Sequence, residues 1–277
     1  KNTIVGNNFG YWCGGDPAPA GGTKVHRLDF VNDTTAAVTK GNLSVARRDS
    51  GANGVSNLNY GYNGGGYTPS DRVSSIDRID YSNDTAQALP KGPLNLEMNG
   101  VAAVGNIDYS YWTGGRSPGP TWNVYYTILD RLDYSNDAVT CAPKGPLTVT
   151  QANAGSVCNM NFGYYMGGKS PTRSSILRID YSNDTTQSMR GNLSATKYGV
   201  MGAGNRDYGW CAGGSPGVST VERIDYSSDT TDPVIKGTLD AAMKQDGATG
   251  NSLFGYFAPG PAGLPNKRAL SRIDYSN

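Results

Sequence analysis

Three observations predict an all-β fold, a closed ring of six four-stranded blades (a six-bladed β-propeller) whose last blade is incomplete in this 277-residue chain. The first is repetition. Arg-Ile-Asp-Tyr-Ser-Asn-Asp-Thr, or a near copy, begins at Arg27, Arg78, Arg131, Arg178, Arg223 and Arg272. Its period of about 49 residues marks units that bury their apolar faces only against neighbours. The second is an aromatic run closing on a glycine pair, which starts at Phe9, Tyr60, Tyr109, Phe162 and Tyr208 and recurs at Phe254 with Pro259 in place of one glycine. The third is a basic residue before glycine: Lys40-Gly41, Lys91-Gly92, Lys144-Gly145, Arg190-Gly191 and Lys236-Gly237. Composition agrees, because 38 glycines and 18 tyrosines against 5 phenylalanines suit short strands and tight turns rather than helices.

Each unit divides into four strands. The first is built of small residues, as in Val101–Gly105 and Val200–Gly204, which fits a crowded axis, and a turn on Asn106 or Asn205 follows. The aromatic run is the second strand, and its glycines supply backbone freedom and close approach. Val-x-Arg-Ile-Asp-Tyr is the third. Ser-Asn-Asp-Thr turns the chain into a fourth that ends near Lys-Gly-x-Leu. In the third strand alternation sets Arg and Asp on one face and Ile and Tyr on the other. Since neighbouring blades cover both faces, the pairs Arg27/Asp29, Arg78/Asp80, Arg131/Asp133, Arg178/Asp180, Arg223/Asp225 and Arg272/Asp274 are expected between blades, bonded to each other or to backbone. A ring of cation-binding aspartates is the functional alternative, but the spacing matches no ordered calcium loop.

Residues 1–277 are expected to form one propeller, with no domain boundary visible. Lys1 falls partway through a repeat, so the chain is expected to be a piece of something longer. Completing six units would take roughly 17 further residues by the repeat arithmetic, from this chain or from another strand. A net charge of +1 with 17% charged residues provides no basic stripe for a phosphate backbone, so nucleic acid is not an expected partner. No run approaches eighteen apolar residues, so no membrane span is expected. Cys13, Cys141, Cys158 and Cys211 follow no metal-ligand spacing and read as small buried hydrophobes, with one disulfide as the lesser possibility.

Units of this length, with a glycine doublet after an apolar-aromatic strand and a strand ending in Tyr or Asp before a polar turn, resemble the Kelch repeat along the whole chain. The resemblance implies a Kelch-like β-propeller. The Kelch tryptophan after the turn is missing, with Ala37-Val38, Ala88-Leu89 or Val234-Ile235 in its neighbourhood. The Asp-Tyr-Ser-Asn-Asp-Thr wording is also similar to repeats of structural proteins in marine bacteriophage virions, cyanophages included.

Motifs of catalysis fail on inspection. Gly163 to Ser170 spells a P-loop, yet Pro171 and a strand follow where a helix N-terminus must face phosphate. Gly-x-Ser-x-Gly at Ser117 and Ser215 places proline after the serine, removing the oxyanion N–H. His26 is the only histidine, so a mechanism or copper site needing two is excluded. Its counterparts Asp77, Asp130, Leu177, Glu222 and Ser271 are so varied that the position reads as partly exposed and without a common duty. The sequons at Asn32, Asn42, Asn83, Asn183 and Asn192 carry little weight, since Asn suits these turns anyway.

The Ser-Asn-Asp turn hardly varies among repeats, whereas the connection from the glycine pair to the arginine changes in length and composition. In a propeller those connections emerge on one face, beside the fourth-to-first ones, and loops on a rigid scaffold are where recognition sits. The longest of them carries Trp122, Tyr125 and Tyr126, which can stack on a sugar or anchor a protein, or else pack on the next blade. Tyr67, Lys169 and Arg173 are weaker candidates. The expected role is a non-enzymatic structural and recognition module, extracellular or in a phage virion appendage such as a tail fibre, binding a glycan or host receptor and contacting other appendage subunits. No catalytic residue, metal or cofactor is expected. A purely structural subunit and a carbohydrate-active or redox propeller enzyme are the alternatives.

Overall fold

The computed structural model describes residues 8–15, 22–49, 54–116, 124–184, 187–243, 247–258 and 270–277. They form six antiparallel sheets in chain order, each a meander in which consecutive strands pair. Blade 2 holds Gly54–Ser56, Tyr60–Gly64, Ile76–Asp80 and Leu89–Lys91. Blade 3 holds Asn99–Gly105, Tyr109–Arg116, Leu129–Asp133 and Ala142–Pro143. Blade 4 is made of Gly155–Cys158, Phe162–Met166, Ser175–Asp180 and Gln187–Asn192, and blade 5 of Met201–Gly204, Tyr208–Ala212, Val218–Asp225 and Val234–Met243. Among the described residues blade 1 has three strands, Phe9–Cys13, Gly22–Asp29 and Val38–Arg47. Blade 6 likewise has three: Ala248–Gly250, Phe254–Phe257 and Ser271–Asp274.

Small residues let the first strands crowd together. A Cβ on Gly202 would lie 2.1 Å from the Ser156 carbonyl oxygen of blade 4, and the Ser156 hydroxyl donates to the Ala103 carbonyl of blade 3 at 2.8 Å. The turn into the second strand is fixed by an asparagine: Asn106 Oδ1 accepts from the N–H groups of Asp108 and Tyr109, both at 2.9 Å, and Asn57, Asn159, Asn205 and Asn251 do the same in their blades. The glycine pairs are required by backbone geometry. Gly65 and Gly66 have φ of +64° and +108°, Gly167 and Gly168 +64° and +119°, values that disfavour any side chain.

Blades meet through apolar clusters, as where Tyr11, Val25 and Leu43 of blade 1 bury Ile79 and Ala88 of blade 2. The ring closes. Phe30 of blade 1 stacks on Tyr256 of blade 6 at 5.1 Å, and the Tyr256 hydroxyl donates to Asp33 at 2.6 Å. No helix among the described residues is long and apolar enough to cross a membrane. The described cysteines are unbridged, Cys141 and Cys211 buried and Cys13 and Cys158 partly so.

Candidate functional site

An antiparallel meander sends the first-to-second and third-to-fourth connections to one face of the ring and the other two sets to the opposite face. On the first face, the turn face, each repeated residue has its own task. Arg78 of blade 2 donates to Asp137 of blade 3 at 2.8 Å, where the Tyr62 hydroxyl (3.0 Å) and Lys91 (3.1 Å) also converge. Arg27, Tyr11 and Lys40 meet on Asp84 in the same way, Arg178, Tyr164 and Arg190 on Asp229, and Arg131 and Lys144 on Asp184. Arg272 and Tyr256 meet on Asp33, whose carboxyl they hold below its ordinary range, the tyrosine hydroxyl contributing most. Each guanidinium also lies over the aromatic ring that opens its own second strand, Arg27 over Phe9 at 4.1 Å and Arg223 over Tyr208 at 4.2 Å. The tyrosine of the motif stacks back on the preceding blade, Tyr134 on Tyr62 at 4.8 Å and Tyr275 on Trp210 at 4.0 Å.

The arginines thus lie between blades, whereas the aspartates of the pairs bond to backbone, as one of the two expectations had it, but within their own blades. Asp80, Asp133, Asp180, Asp225 and Asp274 cap turns in their own blades, Asp80 accepting from the Ser82 N–H (2.9 Å) and hydroxyl (2.7 Å). Asp29 accepts from the Val31 N–H instead. The reason is reach. A carboxylate two residues past the arginine, at the end of the strand, meets the N–H groups of its own turn before any neighbour, and the turn's second aspartate crosses to the other blade instead.

The opposite face, the loop face, is closed by a seam that varies from blade to blade. The second glycine of each pair donates its N–H to the carbonyl of a fourth-to-first connection: Gly15 to Arg47, Gly66 to Met98, Gly115 to Gln151, Gly168 to Lys197 and Gly214 to Met243. Two residues after those carbonyls come Asp49, Gly100, Asn153 and Gly199, all left-handed with φ of +50°, +70°, +53° and +64°. Each links to the next: Gly100 N–H to Asp49 O, Asn153 N–H to Gly100 O, Gly199 N–H to Asn153 O. Only residue types tolerant of positive φ occupy the row.

The position that His26 represents needs correcting. Asp77, Asp130, Leu177 and Glu222 are fully buried and Ser271 nearly so. The polar ones share a duty, gripping the connection that arrives from the preceding blade. Asp77 accepts from the Ser44 N–H and hydroxyl and pairs with Arg47 at 3.2 Å. Asp130 accepts from the Asn95 N–H and side-chain amide, Glu222 from the Ser194 N–H and from Lys197, and Ser271 donates to Asp240. Burial pushes the Arg47 guanidinium down, against the pull of Asp77, and pushes the Asp130 carboxyl up. His26 is half-buried, with Nδ1 3.4 Å from the Thr39 hydroxyl. Internal co-variation carried the signal: a cation three residues after Ser44 or Ser194 accompanies an acid just before the motif arginine.

Of the predicted ligand contacts, Trp122 lies outside the described residues. Tyr125 bridges to Arg116, and Tyr126 donates its N–H to Gly115 and packs on the core between blades 2 and 3. Tyr67 carries two guanidiniums on its ring, Arg48 at 4.9 Å and Arg72 at 5.2 Å. Arg72 in turn reaches Asn99 Oδ1 (3.1 Å), Asn99 donates to Asp49 (3.0 Å), and Arg116 reaches the same carboxylate (3.3 Å). Lys169 pairs with Ala152 and sets its ammonium 5.1 Å from the Tyr198 ring. Arg173 is half-buried and donates its N–H to Gly168. Tyr67, Tyr125, Lys169 and Arg173 therefore share the loop face, and the partners sequence reasoning missed are Arg48, Arg72, Arg116 and Tyr198. No cluster of three His, Cys, Asp or Glu able to hold a metal occurs among the described residues.

No family model matches the chain. No curated protein matches it either. Among solved structures, one described as "Structure of YjhT" superposes with a TM-score of 0.76 at 12% identity, covering 98% of this chain and 92% of that one. At that identity the likeness is one of fold, and it supports the six-bladed ring.

Proposed function

We propose that this chain is a non-catalytic recognition and structural module, a Kelch-like propeller of an extracellular or virion appendage, bacteriophage tail fibres being the type of structure meant. It binds a surface glycan or receptor protein through the loop face. The observation that carries this reading is the contrast between the faces. The turn face repeats one set of bonds around the ring, whereas the loop face gathers residues that occur once each, such as Arg48, Tyr67, Arg116 and Lys169, on a backbone locked by glycine pairs. Fixed aromatic and cationic side chains lose little conformational freedom on binding, which suits recognition. Neighbouring subunits of the appendage would bear on the remaining surface.

The test is binding to a glycan array and to intact host cells. The 277-residue chain is expected to give a signal that Trp122→Ala or Tyr125→Ala removes while the melting temperature holds. Absence of binding to every glycan and cell surface tried, or unchanged binding by both variants, would sink the proposal.

A further inference from the structure

We infer that the ligand of the loop face is an acidic polysaccharide, bound through carboxylates or sulfates on its sugars. The inference rests on the recognition reading above and adds the charge of the ligand to it.

The two faces hold their charges differently. The turn face presents the carboxylates of Asp29, Asp80, Asp133, Asp180, Asp225 and Asp274, each at the end of a third strand. Their charge is answered on the same face, where the motif arginines and Lys40, Lys91, Lys144 and Arg190 stand against the turn aspartates. On the loop face Arg48, Arg116 and Lys169 are half-buried and Arg72 is buried, and the carboxylates that accompany them are Asp49, Asp71 and Glu97. Asp49 is spent on Arg116 and Asn99, and Asp71 sits 3.6 Å from Arg72.

The cations are also held in place. Tyr67 and Arg48 exchange two backbone hydrogen bonds, at 2.8 and 2.9 Å, which sets the Arg48 guanidinium over the ring. Arg72, almost fully buried, occupies the same ring and ties it to Asn99. Lys169 is placed equivalently after its glycine pair and rests on Tyr198 of the next connection. Arg48, Arg116 and Lys169 remain partly exposed, following one another around the rim at the positions fixed by successive blades. Cations spaced along a curved rim fit a polymer with repeated anions better than a single small anion, and the rings beneath offer surface to sugar.

Dextran sulfate and polygalacturonate carry the two anion types, and uncharged dextran serves as the reference. Binding to the intact chain is read by biolayer interferometry at low and at physiological ionic strength. At least one acidic polymer is expected to bind, with affinity falling as salt rises, and dextran is not. Capture of dextran sulfate alone assigns sulfate; capture of polygalacturonate alone assigns carboxylate. Arg48→Gln, Arg116→Gln and Lys169→Gln are each expected to weaken binding about tenfold, as loss of one charge-assisted contact does. Arg206→Gln, an exposed cation on the turn face, is expected to leave it unchanged. Melting curves exclude misfolded variants. Equal binding to dextran, or equal weakening by Arg206→Gln, overturns the inference. So does failure of both acidic polymers while array glycans still bind in a Trp122-dependent way, which leaves the recognition reading standing. If no glycan of any charge binds, both readings fall.

Discussion

The four junctions from blade 1 to blade 5 are each stitched at two ends, and the two stitches obey different rules. On the turn face, Arg, Tyr and a basic residue of one blade converge on Asp84, Asp137 and Asp229 of the next, while Asp184 receives the arginine and the lysine and Asp33 the arginine and the tyrosine. On the loop face the equivalent place holds an arginine–aspartate pair at Arg47 and Asp77, a lysine–glutamate pair at Lys197 and Glu222, a lone carboxylate at Asp130 beside Met98, and no charge at Gln151 and Leu177. The difference follows from solvent. The turn-face aspartates Asp84, Asp137 and Asp229 are buried, but the arginines and lysines that reach them keep partial contact with water, so one modest solution can be copied. The loop-face sites are fully buried, so each must be solved as a unit, and a partner can change only when its mate changes.

The largest expected effect comes from breaking one such unit. Arg47→Met leaves Asp77 buried with only its Ser44 bonds and should cost about 3–5 kcal/mol in chemical denaturation. The double variant Arg47→Met/Asp77→Leu imitates the uncharged junction of Gln151 and Leu177 and is expected to recover most of that loss. A double variant no more stable than the single one would mean that the pairs are not interchangeable. A smaller effect is expected on the turn face. Tyr62→Phe removes one hydrogen bond to Asp137 while Arg78 and Lys91 remain, a loss of about 1 kcal/mol. A loss matching that of Arg47→Met would abolish the contrast between the faces.

What the sequence disclosed divides along the same line. The blades were legible because the aromatic run, the Asn turn and the glycine pair each act within about ten residues, where turn chemistry is local. The crossing bonds were less so. Arg27 meets Asp84, a partner in the next repeat, while Asp29 sits close by and is the obvious misreading. The row of Asp77, Asp130, Leu177, Glu222 and Ser271 looked free because repeat comparison equates variety with exposure, whereas here variety reflects different solutions to burial. Arg48, Arg72 and Arg116 were missed for a related reason. No repeat shares them, and their meeting around Tyr67, Asn99 and Asp49 depends on connections from three successive blades.

The finest test of the comparison is its pH dependence. Burial raises the Asp130 carboxyl above its ordinary value of 3.8, so the folded state holds this proton more tightly than the unfolded chain does. Whatever stability that proton contributes is fully present below the unfolded value and is lost as pH rises through the folded one. Met98→Lys copies the place that Lys197 holds beside Glu222 and gives the ionised Asp130 a cation. It is expected to stabilise the protein slightly at neutral pH, by about 1 kcal/mol or less, and to destabilise it at pH 3, where a neutral acid faces a buried ammonium. Equilibrium unfolding at the two values decides the matter. A gain of the same sign at both would show that the lysine acts through its methylene stem rather than its charge, and the loop-face seam would then be a matter of packing alone.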